Sequence, residues 1–440
     1  MAGRPSRQRA LDAWMNGRRV GRWSISAQGV HTFVYDSAWP GAPEARPLSL
    51  SLPLGSARPA RGERVQAYFD HLLPAAALPR QRLQWAFGVA SAETFDLLAA
   101  VGRDCVGAVQ LLAPDSEPGD PMRVEGDPLS ERELALLLDA CVAPLDGSTS
   151  SADVPWPCVA LGGARPKTAL LRSGARWCVP RGATPSTHIL RLPLGAVPGG
   201  APAISTSLEN EWLCAQLLRA FGFELPASRI EAIGPHKVLV VERVDRRWLD
   251  DRWWARLPLE DFCQATATPA ARGAAAAGGP GVGRMLDLLR GSEHAATDRE
   301  RLLAALVVLW LLAAPDLSAK HFALRLLAGG RYTLAPLCGA LSAWPLLGRS
   351  PKPSSLQRLP WTLSPSGAPL AHHQVHRMHW LQAARRHAVG AGFDAVLDGI
   401  AHWVPQAIER ACAALPPDFP SSVSEPVFDG LQRGVRRLSS

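Results

Sequence analysis

The chain has 440 residues, 47% of them hydrophobic, including 15 tryptophans, and a formal net charge of +8. This length and composition predict two or three domains with a sizeable core and exclude long disordered stretches. The basic first residues have no apolar run behind them, so no secretory signal is expected. The positive charge fits DNA or an acidic partner, but it is spread along the chain and decides neither.

The eight cysteines are scattered, and no two of them form a C-x-x-C pair. This usage is typical of reduced thiols that fill a core in the cytosol, and it argues against a disulfide framework. We therefore expect a cytoplasmic protein that has no contact with a membrane.

Residues 11–53 predict a β-rich start to the chain. Alternating apolar residues flank an Asn16-Gly17 turn, and further strands are predicted at residues 31–35 and 48–52. Residues 95–111 then predict a helix, a break at Gly102 and a strand. Residues 113–133 are rich in Pro, Asp, Glu and Gly and predict a linker, followed by a helix near residues 130–141.

Residues 159–171, VALGGARPKTALL, predict two extended arms around Gly162 and Gly163. Glycines at such a turn let backbone N–H groups approach phosphate oxygens, and Lys167 adds positive charge. Many glycine pairs are only turns, so both interpretations stay open from these residues alone. Further along, residues 237–245 predict a buried strand followed by polar residues.

A long buried helix is predicted at residues 302–314, because the run is apolar on every face, and Pro315 is expected to end it. Asp316, Ser318, Lys320 and His321 follow directly, and then a hairpin with a Gly-Gly turn at residues 329–330. Phosphoryl transfer needs a carboxylate to orient the attacking hydroxyl and a cation for the phosphate. Asp316 and Lys320 are the candidates for these two catalytic roles.

This segment resembles the catalytic region of the HipA family, the serine/threonine-kinase toxins of bacterial toxin-antitoxin modules, whose pattern is D-x-H-x-K-N, a hairpin and Y-D-x-x-S-A. AWMNGRRVGR near the start and YFDHLLP at residues 68–74 also resemble that family. The resemblance implies an α+β HipA-like kinase fold. It further implies a small β-rich subdomain at residues 1–112, a nucleotide-binding region at 113–250 and an all-α lobe at 251–440.

The resemblance also implies which residues meet ATP. The glycine turn matches the family's loop over ATP, STHILRLPL matches a strand whose lysine contacts the phosphates, and KVLVVERVD matches a hinge whose backbone meets adenine. Glu211, in a helix expected to have Ser207 as its N-cap, either steadies the basic residue at 191 or is an ordinary helix charge. The implied ATP-binding residues are Gly162, Gly163, Ala164, Lys167, Arg191, Glu242 and Val244.

Four positions depart from the family pattern. Ala160 replaces the autophosphorylated serine, and Arg191 replaces a lysine with a group of different shape. His321 and Gly339 replace the Asn and the Asp that bind Mg²⁺, an ion that prefers oxygen ligands. The resemblance therefore implies ATP as the cofactor without the usual protein ligands for Mg²⁺, and we predict no metal-binding residue.

A second metal hypothesis concerns His372, His376 and His379. On a helix predicted at residues 371–388, the three side chains share one face, which is the spacing of zinc ligands. No carboxylate or thiol nearby completes a ligand set. A partly exposed histidine-rich helix is the favoured interpretation, with zinc as the alternative.

Two functions follow from the resemblance. The favoured one is a catalytically impaired HipA-like toxin, a pseudokinase that binds a HipB-like antitoxin and reaches operator DNA through that partner. The alternative is an active kinase in which Asp316 orients the hydroxyl of a protein substrate. As in the family, the target would then be a serine of a translation protein such as glutamyl-tRNA synthetase.

Overall fold

The computed structural model describes residues 9–55, 58–144, 154–163, 165–194, 205–272, 278–315, 317–348, 360–361, 365, 370–390 and 392–438. It divides into two compact units. The first unit comprises Met1–Ala203, Glu231–Ala271 and Arg325–Arg331, and the second comprises Ile204–Ile230, Arg272–Leu324 and Tyr332–Ser440. Strands and helices are mixed in the first unit and helices dominate the second, which confirms the α+β class.

The first unit begins with a five-stranded antiparallel sheet of β1 (Arg9–Met15), β2 (Arg18–Ile25), β3 (His31–Tyr35), β4 (Ala60–Arg61) and β5 (Val109–Leu112). The strands lie in the order β4-β3-β2-β1-β5. Asn16 and Gly17 join the first two strands with φ angles of 46° and 81°, the left-handed conformations that a tight two-residue hairpin turn requires. The predicted hairpin is thus confirmed.

The strand predicted at residues 48–52 is wrong. The chain turns back there, with the Leu52 N–H donating to Ser49 O at 2.9 Å, and forms only an isolated bridge between these two residues. The Tyr35 hydroxyl accepts from the Leu48 N–H at 2.7 Å and donates to Leu52 O. Because a side chain satisfies these backbone groups, the segment has no need of a neighbouring strand.

Aromatic side chains fill the core of this sheet. Trp23 is fully buried and stacks on Phe69, with ring centroids 4.0 Å apart, and Phe95 packs against the same indole at 5.0 Å. Burying one such side chain stabilises the fold by about 1.5–3 kcal/mol. The helices of the first unit are Glu63–Asp70, Ala77–Phe87, Thr94–Val101, Glu131–Val142 and Phe262–Ala265.

Six strands form a second sheet, and they are β6 (Gly126–Pro128), β7 (Lys167–Ser173), β8 (Arg176–Pro180), β9 (His188–Arg191), β10 (Ser228–Ile233) and β11 (His236–Glu242). They lie in the order β10-β11-β9-β7-β8-β6, and the chain passes between the two units within β10. Helix Glu131–Val142 begins at a capping box between Ser130 and Glu133 and buries Leu137 and Leu138 in the core beside this sheet. The first unit also contains β12 (Arg246–Leu249), β13 (Trp253–Arg256) and β14 (Leu259–Asp261).

The second unit packs its helices closely around the apolar helix Ala295–Leu311. Gly430 lies against Trp344, where an added Cβ would come within 2.4 Å of the indole, and Gly434 lies equally close to Leu311. Beside the rigid indole of Trp344 only glycine permits this approach, whereas the contact of Gly434, at 2.5 Å, is with the end of the flexible Leu311 side chain. The other helices of this unit are Ser207–Ala220, Val282–Leu288, Trp344–Leu347, Arg377–Arg386, Phe393–Ala413 and Ser421–Leu438, and the remaining strands are β15 (Ala323–Leu326), β16 (Tyr332–Leu334), β17 (Pro360–Trp361) and β18 (Leu370–Ala371).

Two predicted helix ends need correction. The apolar helix ends at Leu311, before Pro315, because Ala313 takes a left-handed φ of 50° and the Ala314 N–H closes onto Leu309 O. Ser207 is the first residue of its helix, and Thr206 is the N-cap. The hairpin after the apolar helix is confirmed, with positive φ at both glycines of its turn.

No helix in the described ranges is both long enough and apolar enough to cross a bilayer. The three-region division at residues 112 and 250 stays a prediction.

Candidate functional site

The glycine turn in the first unit is organised around a lysine. Gly163 has a φ of +85°, and the Lys167 ammonium donates to Gly163 O at 3.2 Å and to Arg165 O at 3.3 Å. The lysine thus folds back onto the carbonyls of its own turn and holds the turn closed. Ala164, the third residue of the predicted loop, lies outside the described residues.

Lys167 and Arg191 are brought together by strand pairing. They are direct partners in the antiparallel register of β7 and β9, and Arg191 also faces Leu239 of β11. Directly opposite residues on paired strands place their Cβ atoms about 5 Å apart, where two like charges destabilise a sheet. This part of the sheet therefore concentrates positive charge where the sequence predicted phosphate contacts.

The predicted hinge lies at the end of β11. Glu242 is the last residue of that strand, pairs with His188 and is exposed, whereas Val244 is half-buried. Between them, Arg243 is buried and its backbone N–H donates to Thr187 O at 2.9 Å. The hinge is therefore bonded to the segment that leads into the Arg191 strand.

A buried charge cluster contacts the hinge and the segment that leads into the Arg191 strand. The sequence analysis did not predict it. Its members are no more than 7% exposed and carry three positive and two negative charges. The signal was the R-V-D-R run directly after an apolar strand, which the family resemblance assigned only to the hinge. The cluster consists of Asp104, Arg243, Asp245, Arg246 and Arg256.

Both carboxylates of the cluster stay ionised. Burial opposes the charge on Asp104, but Arg256, Arg243 and Arg246 outweigh it and hold the pKa of that carboxyl well below its usual range. Burial likewise opposes ionisation of Asp245, and Arg243 leads the contacts that lower its pKa. Burial and the neighbouring Arg243 lower the pKa of Arg246 to about 10. The cluster is a fully charged network at neutral pH.

The catalytic-like segment belongs to the second unit. Asp316, the predicted catalytic carboxylate, lies outside the described residues. Lys320 and His321 lie in a short 3-10 turn, Ala319–His321, directly before β15. The Ser318 N–H donates to Nδ1 of His321 at 3.0 Å, so this imidazole caps its own turn.

The segment that contains Gly339 is held by the helix Ser207–Ala220. The Asn210 side chain donates to Ser342 O at 2.8 Å and accepts from the Ser342 N–H at 2.9 Å. The Leu337 N–H also donates to Glu224 O at 3.0 Å. Glu211, the neighbour of Asn210, is buried, and its relation to Arg191 stays a prediction.

The residues at positions 321 and 339 do not fit Mg²⁺. One ring nitrogen of His321 is engaged by a backbone N–H, and Gly339 has no side chain. Mg²⁺ takes oxygen ligands in an octahedral arrangement. Among the residues that the structure describes, no cluster of three or more His, Cys, Asp or Glu side chains has a metal-binding arrangement.

The shared face expected for three histidines is wrong. The helix begins at Arg377, with His376 as its N-cap, and His372 lies in the preceding 3-10 turn. His372 is 1% exposed, its Nε2 lies 2.7 Å from Trp310 O, and burial lowers its pKa to about 4. Its ring stacks on Trp310 and belongs to the core, so it cannot share a zinc site with exposed His376 and half-buried His379.

The fold matches that of a protein of known structure. A solved structure described as the Shewanella oneidensis MR-1 toxin-antitoxin complex of HipA, HipB and its operator DNA matches with a TM-score of 0.76 and 16% identity. The match covers 98% of this chain and 97% of that chain. At that level of identity the likeness establishes the fold alone.

Sequence comparison identifies the family. The family model described as HipA-like C-terminal domain matches residues 159–412, and the HipA N-terminal domain model matches residues 11–112. The Sinorhizobium fredii protein named "Putative kinase Y4mE" is 32% identical over 351 residues, 78% of this chain and 80% of that protein. The chain therefore belongs to the HipA-like family.

A more distant relative is the serine/threonine-protein kinase toxin HipA of Shewanella oneidensis. It is 24% identical over 227 residues, which cover 50% of this chain and 46% of that protein.

Proposed function

We propose that the chain is a HipA-like toxin component whose kinase chemistry is impaired and which acts by binding a nucleotide and a HipB-like antitoxin protein. The observation that carries the proposal is the loss of oxygen ligands at two positions of the second unit. His321 uses Nδ1 to cap its own turn, and Gly339 offers only backbone. Phosphoryl transfer depends on Mg²⁺ to bridge and neutralise the phosphates. Loss of the Mg²⁺ ligands therefore abolishes phosphate transfer but leaves nucleotide binding in place.

The first unit supports nucleotide binding. The hinge at Glu242 and Val244 would meet adenine through backbone atoms, which tolerate sequence change. Lys167 and Arg191 are strand partners, so positive charge is available for phosphates, and Lys167 donates to Gly163 O in the turn. Gly162, Gly163 and Ala164 are the residues of this loop that the sequence predicts to meet the phosphates. ATP is therefore the proposed ligand, and it would bind without the usual protein ligands for Mg²⁺.

The proposed partner follows from the fold match. The matched structure is a complex of HipA with HipB and operator DNA. We extend to this chain an antitoxin of the HipB type, and DNA contact through that antitoxin. The formal charge of +8 is compatible with such an assembly but does not distinguish DNA from an acidic partner.

The test is calorimetric titration of the full chain with ATP, in Mg²⁺ and in EDTA, followed by a phosphate-transfer assay with radiolabelled ATP. We expect similar ATP affinity in both buffers and no transfer above background. Strong Mg²⁺-dependent transfer that Asp316→Ala abolishes would replace this proposal with an active protein serine kinase. Absence of nucleotide binding in either buffer would restrict the chain to a partner-binding role.

A further inference from the structure

Asp104, in the N-terminal domain, is bonded through its main chain to the start of the glycine turn. It follows helix Thr94–Val101 and is 2% exposed. Its carbonyl accepts from the Ala160 N–H at 2.9 Å, and it forms an isolated parallel bridge with Val159. Since Ala160 lies two residues before Gly162, the main chain of Asp104 sets where the turn begins.

The carboxylate of the same residue holds the start of the Arg191 strand. One of its oxygens, Oδ2, accepts from the Ser186 N–H at 2.8 Å and from the Ser186 hydroxyl at 2.6 Å. Ser186 is fully buried and lies two residues before β9. Hydrogen bonds to a carboxylate are roughly twice as strong as neutral ones, so these two bonds fix the position of Ser186.

The carboxylate also reaches the hinge. Nη1 of Arg243 lies 3.4 Å from Oδ2 of Asp104 and donates to the Ser186 hydroxyl at 2.8 Å. Arg243 stands between Glu242 and Val244, the two hinge residues. Its guanidinium also donates twice to Asp245, so neither its side chain nor its backbone is free to move.

The charge balance makes Asp104 hard to replace. Arg246 and Arg256 both donate to its other oxygen, Oδ1. The cluster already holds one more positive than negative charge, and its side chains are 1–6% exposed. Removing this carboxylate would leave three buried guanidinium groups facing a single acid, Asp245.

We propose that Asp104 is a positioning residue of the nucleotide site, through which the N-terminal domain sets the geometry of the glycine turn, the Arg191 strand and the hinge together. The inference rests on the nucleotide binding proposed above. It gives the N-terminal domain a role in the nucleotide site, because a shift of its Asp104 segment moves all three elements at once.

The first test compares Asp104→Asn with Asp12→Asn in the full chain. Asp12 is an equally buried acid of the same domain that pairs with Arg19 and Arg22, away from the three elements. ATP is titrated by calorimetry at a temperature where circular dichroism shows both variants folded. We expect Asp104→Asn to raise the ATP Kd about tenfold at unchanged stoichiometry, the equivalent of one lost hydrogen bond, and Asp12→Asn to leave it unchanged.

A purely structural role predicts a different result. It lowers the fraction of binding-competent molecules, and therefore the stoichiometry, while the Kd of the folded molecules stays the same. That outcome in Asp104→Asn would overturn the proposal. If Asp104→Asn does not fold, Ser186→Ala removes one hydroxyl from the same oxygen without changing charge, and we expect a Kd about threefold higher.

Amide hydrogen exchange separates this inference from the proposed function. Without nucleotide, we expect faster exchange in Asp104→Asn or Ser186→Ala at residues 159–163, 187–191 and 242–244, and no change there in Asp12→Asn. If the natural chain binds no ATP, the proposed function fails. Faster exchange of the Asp104→Asn or Ser186→Ala variant that is confined to these segments would still support positioning by Asp104. Unchanged exchange in folded variants overturns it.

Discussion

His321 and Gly339 carry the functional argument at the scale of single residues. His321 has a local role, since its imidazole receives the Ser318 N–H at 3.0 Å. The backbone conformation does not require glycine at position 339, because Gly339 is not among the glycines with positive φ. The backbone at position 339 is therefore compatible with a residue that has a side chain.

We expect the double variant His321→Asn/Gly339→Asp to acquire Mg²⁺-dependent ATP binding. The change adds an amide and a carboxylate oxygen, the ligands that Mg²⁺ prefers, and Asn can still cap the 318–321 turn. ATP affinity should be about tenfold higher in Mg²⁺ than in EDTA, equivalent to one new charge-assisted contact of about 1.4 kcal/mol. Titration calorimetry in the two buffers measures it.

The matched control is His321→Leu/Gly339→Ala, which changes size at both positions and adds no oxygen. It should behave like the natural chain. A folded double variant with the same ATP affinity in both buffers would show that positions 321 and 339 do not face the phosphates.

At the scale of elements, the turn at residues 48–52 shows how side chains replace strand pairing. The hydroxyls of Ser49 and Ser51 donate to Gln264 O at 3.3 and 2.8 Å, and the Leu50 N–H donates to Oε1 of Glu260 at 2.9 Å. Glu260 lies in β14 and is 1% exposed. The turn is thus fastened to a strand and a helix more than 200 positions later in the chain.

Glu260 predicts a pH dependence of stability. Burial raises the pKa of its carboxyl to about 8, so the folded chain keeps it protonated where an unfolded chain would release the proton. Its stabilising contribution is therefore complete below about pH 4.5 and is lost as the pH rises towards 8. We expect the free energy of unfolding to fall by a few kcal/mol across this window, measured by urea denaturation at pH 5, 6.5 and 8.

Glu260→Gln should flatten this slope, because an amide has no proton to lose. Glu117→Gln, at an exposed glutamate, serves as the control and should keep the slope of the natural chain. Equal slopes in all three proteins would show that the Glu260 carboxyl is already ionised in the folded state.

At the scale of the whole molecule, the N-terminal domain is not a separate module. The first unit contains residues Met1–Ala203 together with Glu231–Ala271, so part of the matched C-terminal domain belongs to the same compact unit. Asp104 joins the two parts through Arg243, Arg246 and Arg256. Three buried cations depend on an acid that the N-terminal domain supplies.

We therefore expect a chain of residues 113–440 to lack a cooperative unfolding transition. Leaving buried charges without their partner costs about 3–5 kcal/mol per broken pair, a large share of the stability of a typical domain. Thermal denaturation followed by circular dichroism, with the full chain as control, measures this. A sharp transition with unchanged ATP affinity in the shortened chain would contradict the proposed dependence.

Local chemistry is what the sequence alone determined. The Asn16-Gly17 hairpin, the helix capped by Ser130 and the apolar helix before Lys320 each follow from neighbouring residues, although the apolar helix begins at Ala295 and not at residue 302. The family was also evident from motifs, because glycine turns and polar loops keep their spacing in a sequence. Contacts within a few residues leave a pattern that can be recognised without a structure.

Only the tertiary structure decided which charges are buried together. Asp104 and Arg243 are 139 positions apart, and the sequence around neither residue indicates that they are in contact. His372 fits a helical spacing, yet it joins the core because its ring nitrogen meets Trp310 O. A buried polar group needs a partner from a distant part of the chain, and that choice is made only when the elements pack.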